Sequence, residues 1–223
     1  MSTASLRAQL ESVLVDVERR VWTTLPSGIS SLDALTGGLP RGAITEVYGP
    51  PSSGRTSIAL SILATATGHE EVCALIDGHD AFDPNSGALA GIDLQRLLWI
   101  RCHDVDQVLR STDLLLHGGG FGVAVMDMSD LPVKAIRAVP LAAWFRFQRV
   151  IEKTPTVLLL IGNESIAKSA AALVLRLTPS DVDWRGNLLA ANQINIEIVR
   201  FRTPQSATRN SHFSHHVSRY SRP

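Results

Sequence analysis

The stretch Gly49 to Ser57, G-P-P-S-S-G-R-T-S, constrains the fold of this chain more than any other. An apolar run of β character, Ile44-Thr45-Glu46-Val47-Tyr48, precedes it, and an apolar helix-like run follows from Ile58. This is the spacing and context of a phosphate-binding loop, G-x-x-x-x-G-K-[ST], between a strand and a helix. Gly49 and Gly54 would let the backbone wrap an anion, with Pro50, Pro51, Ser52 and Ser53 forming the turn. The helix start adds free N–H groups and its dipole. Thr56, followed by Ser57, stands where a Mg2+-coordinating hydroxyl belongs. Arg55 occupies the lysine position. It keeps a positive charge, but its planar fork is bulkier and reaches differently from an ammonium. Read from these residues alone, the segment is either a phosphate cradle or a glycine-containing turn with no ligand.

Around this loop the pattern alternates. Strands are expected at 44–48, 72–76, 97–101, 122–126 and 156–161, with helices at 56–66, 86–90, 105–116 and 140–152. Strands apolar throughout and separated by helices imply an α/β fold with a mostly parallel sheet covered on both faces. Near the end, 173–177 and 193–201 read as two antiparallel strands joined by a polar turn holding Asp181, Asp183, Arg185 and Gly186. Leu6, Leu10, Val13, Leu14 and Val17 recur at helical spacing, so an N-terminal helix with its linker is expected over 1–24, ahead of a core at 25–202. It could dock on that core or on a partner. A short helix is expected at Ile29–Leu35. Residues 203–223 contain no acidic residue and no periodicity, and read as a weakly basic tail. Its His212, His215 and His216 are a metal motif only if a fixed partner joins them.

Composition narrows the class. The 223 residues are 45% hydrophobic, enough for a packed core, and 21 basic residues balance 21 acidic ones. That balance argues against a surface basic throughout. The two cysteines, Cys73 and Cys102, lie in or beside apolar strand-like runs and read as buried thiols. The N-terminus lacks the apolar segment of a signal peptide, and no apolar run approaches the ~18 residues of a membrane span, so a cytoplasmic protein without membrane contact is expected.

Two further stretches carry candidate chemistry. F-G-V-A-V-M-D, residues 121–127, ends an apolar strand in Asp127, where a Walker B carboxylate would help hold Mg2+ or a cap would hold a turn. L-I-D-G-H-D-A-F-D-P, residues 75–84, sets Asp77, His79, Asp80 and Asp83 after a strand, at the edge where α/β proteins bind ligands. A water-orienting base would sit here, and the candidates are His79 and Asp80. A plain polar turn ended by Asp83-Pro84 reads equally well. Trp144, Phe145 and Phe147 suggest nucleobase stacking, but their apolar neighbours favour helix core.

The run from Leu25 to Leu60, with 75–84 downstream, resembles the RecA recombinase core. The resemblance covers about residues 25–200 and implies a RecA-type P-loop ATPase fold, ATP and Mg2+ as cofactors, and a link to DNA repair. Asp127 keeps the Walker B position. The departures are specific. Arg55 replaces the lysine, and His79 stands at the catalytic glutamate. Asn85 and Ser86 replace the adenine-stacking region, and Asn163 falls near the γ-phosphate-sensing glutamine. Only Glu164 to Lys168 stand where RecA has a long second DNA-binding loop, and no RecA-like C-terminal domain is expected. This combination resembles ImuA-type accessory factors of SOS translesion mutagenesis. That resemblance implies a degenerate ATP site with little or no ATPase activity and weak or indirect DNA contact. The implied partners are an ImuB-like Y-family polymerase homologue, an error-prone replicative-type DNA polymerase and RecA. The alternatives are an active DNA-dependent ATPase and recombinase, or an SOS cell-division regulator of the same fold.

Overall fold

A computed structural model of the chain describes residues 24–185 and 188–202. The expected N-terminal helix and the tail from Thr203 lie outside these residues.

Strand β1 (Thr24–Leu25) pairs antiparallel with β2 (Leu39–Pro40), closing a loop around helix α1 (Ser30–Thr36). Helix α1 matches the short helix expected at Ile29–Leu35. It ends on Gly37, which takes the left-handed conformation that favours glycine (φ 69°). The chain then enters β3 (Ala43–Tyr48), crosses through α2 (Arg55–Gly68), and continues into β4 (Cys73–Asp77), α3 (Pro84–Leu89) and β5 (Leu97–Arg101). Next come α4 (Val105–Gly118), β6 (Val123–Asp127), α5 (Val133–Arg137), α6 (Leu141–Ile151) and β7 (Val157–Gly162). A long hairpin, β8 (Ala171–Arg185) and β9 (Leu188–Phe201), completes the described chain.

The main sheet has seven strands in the order β5-β4-β6-β7-β3-β8-β9. Every pair is parallel except β8 with β9. Alternating side chains serve two cores. Val157, Leu159 and Ile161 of β7 meet Ile58, Ile62 and Leu63 of α2 on one face. Leu158 and Leu160 meet Met126, Trp144 and Phe147 on the other. This two-sided burial explains the unbroken apolar strands. Trp144 and Phe147 are fully buried and pack edge-to-face at 6.1 Å, so they belong to the core. Both cysteines are buried and free, and desolvation pushes the Cys73 thiol up to about 12.

Two expectations need correction. The polar stretch containing Asp181, Asp183 and Arg185 is not a turn. Those residues continue β8, paired as Val182↔Asn192 and Arg185↔Leu188. The register shifts between Pro179 and Val182, and such a shift breaks the period-2 pattern by which a strand is recognised. Helix α5 was not expected at all. Its V-K-A-I-R is too short to show helical periodicity, and only Ile136 is buried.

Candidate functional site

The strand register brings the carboxyl ends of β4, β6, β7 and β3 to one edge. Asp77 lies opposite Asp127, Asp127 opposite Ile161, and Tyr48 opposite Gly162. The loop after β3 crosses this edge. Gly49 N–H donates to Gly162 O at 3.3 Å, and Ser53 N–H donates to Pro50 O at 3.2 Å, closing the turn. Two glycines are required by contact. A Cβ on Gly49 would stand 2.4 Å from Leu177 O and 2.7 Å from Ser53 Oγ. Gly54 has φ +92°, and its Cβ would stand 2.1 Å from Ile194 Cδ1. The β8–β9 hairpin is therefore packed against the loop through Ile194.

The loop has the features of an anion cradle. Helix α2 begins at Arg55 with no side-chain cap. Among the described residues, the N–H groups of Arg55, Thr56 and Ser57 have no partner. Ser53 is 1% exposed and its Oγ is also unpartnered. Pro50, Pro51, Ser52 and the Thr56 and Ser57 side chains are exposed. Free N–H groups at a helix start beside a buried, unpartnered hydroxyl suit a phosphate. Of the two residues expected from the sequence to hold Mg2+, Thr56 is exposed at the helix start and Asp127 Oδ1 accepts two hydrogen bonds from Ser129. Among the described residues, no group of three His, Cys, Asp or Glu side chains converges to hold a metal.

Arg55 does not point to solvent. It is 8% exposed, and its Nη1 donates to Asn163 Oδ1. Asn163 Nδ2 donates to Ser129 O at 2.5 Å. Ser129 in turn gives Asp127 Oδ1 its N–H at 2.9 Å and its hydroxyl at 2.5 Å. One hydrogen-bonded chain thus runs from α2 through β7 to the end of β6. Burial lowers the Arg55 pKa, opposed by the charges of Asp127 and Asp130. Burial raises that of Asp127, opposed by the Ser129 donors.

The segment after β4 is arranged differently. Asp77 is 3% exposed. Burial alone would raise its pKa, but the N–H groups of Phe82, Ala81 and His79 and the Trp99 indole outweigh that and hold it below the ordinary carboxylate value. Asp77 therefore shapes this turn from inside. His79 is exposed, and its imidazole has no partner among the described residues. Asp80 pairs with Arg101 at 3.5 Å, and Arg101 stacks on Trp99 at 4.3 Å. Asp83 caps α3, accepting from Asn85 N at 3.2 Å and Ser86 N at 3.0 Å. Strand β4 lies three strand spacings from β3, about 14 Å. Arg55, Asn163 and Asp127 are brought together, whereas Asp80 and Asp83 are engaged locally.

Glu46 is a central residue that the motifs do not mark. It is 1% exposed in the middle of β3. Its Oε1 accepts the N–H groups of Ile166 (2.6 Å) and Ala167 (2.9 Å), and its Oε2 accepts the Ser165 hydroxyl (2.7 Å). Arg137 grips Glu164 with two hydrogen bonds at 2.6 and 2.5 Å. The connection from β7 to β8 is thus short and clamped. The one sequence signal was a carboxylate inside an otherwise apolar strand, which requires partners.

A parallel sheet with an uncapped helix behind a glycine loop at its carboxyl edge defines the P-loop class of α/β proteins. Within that class, residues 11–136 match the RecA N-terminal domain family. The chain belongs to that family. Its relatives include the RecA proteins of Brucella anthropi, 42% identical over 106 residues, and Bartonella quintana, 42% over 106 residues. The RecA of Allorhizobium ampelinum is 41% identical over 116 residues. These alignments cover 47%, 47% and 51% of this chain but only 29%, 30% and 31% of the relatives. Among the described residues, no helix is long and apolar enough to cross a membrane.

Proposed function

We propose that this chain is a RecA-like accessory protein of DNA repair, of the ImuA type. In this reading it works by binding partner proteins, and its loop holds a nucleotide without turning it over rapidly. The observation that carries the reading is Arg55. The cation of the loop is buried and tied to Asn163. The surroundings support it. Asp80 is paired with Arg101, and a missing general base removes about 10²- to 10⁴-fold of rate. The clamped 163–167 connection fits DNA contact that is weak or indirect. The proposed partners are an ImuB-like polymerase homologue, an error-prone replicative-type polymerase and RecA.

The test is ATP hydrolysis with and without single-stranded DNA, beside Arg55→Lys. Turnover near background in both conditions is expected. Robust DNA-stimulated turnover by the native protein would overturn the reading in favour of an active ATPase. Pull-down with the two polymerase-type partners tests the binding role, and no association with either would sink it.

A further inference from the structure

A P-loop of ordinary composition needs a divalent cation to balance phosphate charge and engage the strand-end carboxylate. Here a guanidinium already lies inside the site. Arg55 is buried and anchored by Asn163, which is bonded to Ser129, which is bonded to Asp127. A guanidinium carries five N–H donors and does not lose its charge in proteins. One donor is used on Asn163, and the others have no hydrogen-bond partner among the described residues. The same residue opens α2, and its backbone N–H has no partner among the described residues. The Ser53 Oγ of the same loop is buried and unpartnered, 2.7 Å from where a Cβ on Gly49 would stand, and this hydroxyl independently lacks the acceptor that a phosphate oxygen would supply. Asp127 Oδ1 is taken by both Ser129 donors. A divalent ion entering beside it would meet the fixed positive charge of Arg55.

We propose that Arg55 stands in for the divalent cation, so that this loop takes a di- or triphosphate without Mg2+. The proposal rests on the loop being a phosphate cradle, as argued above. Asn163 acts as the tether that keeps the guanidinium in place while its remaining donors meet phosphate oxygens. A lysine, with one compact charge and no fork, would not serve both Asn163 and a phosphate in this geometry.

The test is calorimetric titration of the full chain with ADP and with inorganic pyrophosphate, once in EDTA and once in excess Mg2+. The two affinities of the native protein should agree within about threefold. Arg55→Lys should bind at least about tenfold more tightly in Mg2+ than in EDTA, and Arg55→Gln should lose binding in EDTA. Native binding that appears only with Mg2+ overturns the proposal and leaves the phosphate-cradle reading intact. No binding in either buffer overturns both. Metal-independent binding that survives Arg55→Gln also overturns it, because the charge would then come from elsewhere. If Arg55→Gln does not fold, the native comparison still decides.

Discussion

Replacing Gly54 by alanine tests whether the hairpin and the phosphate loop are one packed unit. The new methyl meets two penalties. At φ +92° an L-residue sits in the left-handed region, at a cost of about 1–2 kcal/mol. Its Cβ would also fall 2.1 Å from Ile194 Cδ1 and 2.7 Å from Ile194 Cγ1, an overlap that neighbours must relieve. Overpacking of this kind costs about 1–3 kcal/mol, so Gly54→Ala is expected to lose about 2–5 kcal/mol. Ile194 is 7% exposed in the same core as Ile58 and Ile62, and Ile194→Ala alone should cost about 2–5 kcal/mol. The double variant removes the overlap and keeps only the backbone strain. Its loss should therefore fall short of the sum of the singles by about 1–3 kcal/mol. Urea unfolding followed by tryptophan fluorescence gives the three values, with equal slopes as the check on the denatured state. Additivity within about 0.5 kcal/mol would refute the reasoning, because two residues in contact must couple.

Glu46→Ala should lose about 3–5 kcal/mol, read by thermal unfolding, since it strands the buried N–H groups of Ile166 and Ala167. Glu46→Gln keeps one acceptor and should lose clearly less; equal losses would show that the clamp is not the cause. Asp127 gives a test of opposite sign. Burial raises its folded-state pKa, so the folded protein holds this proton more tightly than the unfolded chain. Stability is then lost as pH rises above the ordinary value of 3.8 and through the raised one. Asp127→Asn should accordingly be the more stable protein at pH 7, with the advantage fading as the pH falls through the raised value and gone by about pH 3.8, as followed by unfolding at several pH values. An advantage independent of pH would exclude the ionisation argument.

Much of the fold was legible because each parallel strand is apolar on both faces. The expected strand over 97–101 matches β5, β3 begins one residue before expectation and ends on it, and β4, β6 and β7 begin and end one residue after expectation. The hairpin was legible only near the sheet, where Ile194, Ile196 and Ile198 alternate. Beyond the shift at Pro179 the pairing is set by the partner strand, which no local pattern reveals. At the site, the loop and Asp127 could be read from spacing. The Arg55–Asn163 contact could not, because it joins residues 108 apart that meet only once β3 and β7 are paired. Glu46 was hidden for the same reason: its acceptors are filled from residues 119 to 121 positions away.

The Glu46 clamp also governs how this molecule can change. The connection between Gly162 and Lys168 lies at an end of the sheet, where insertions are ordinarily tolerated. Here any residue added before Ile166 would shift two N–H groups off a carboxylate that has no exit to water. A longer loop therefore requires a simultaneous replacement inside β3, more than a hundred positions earlier. Taken one at a time, either change leaves buried groups unsatisfied. Loop grafts at this position should succeed only when Glu46 is exchanged in the same step.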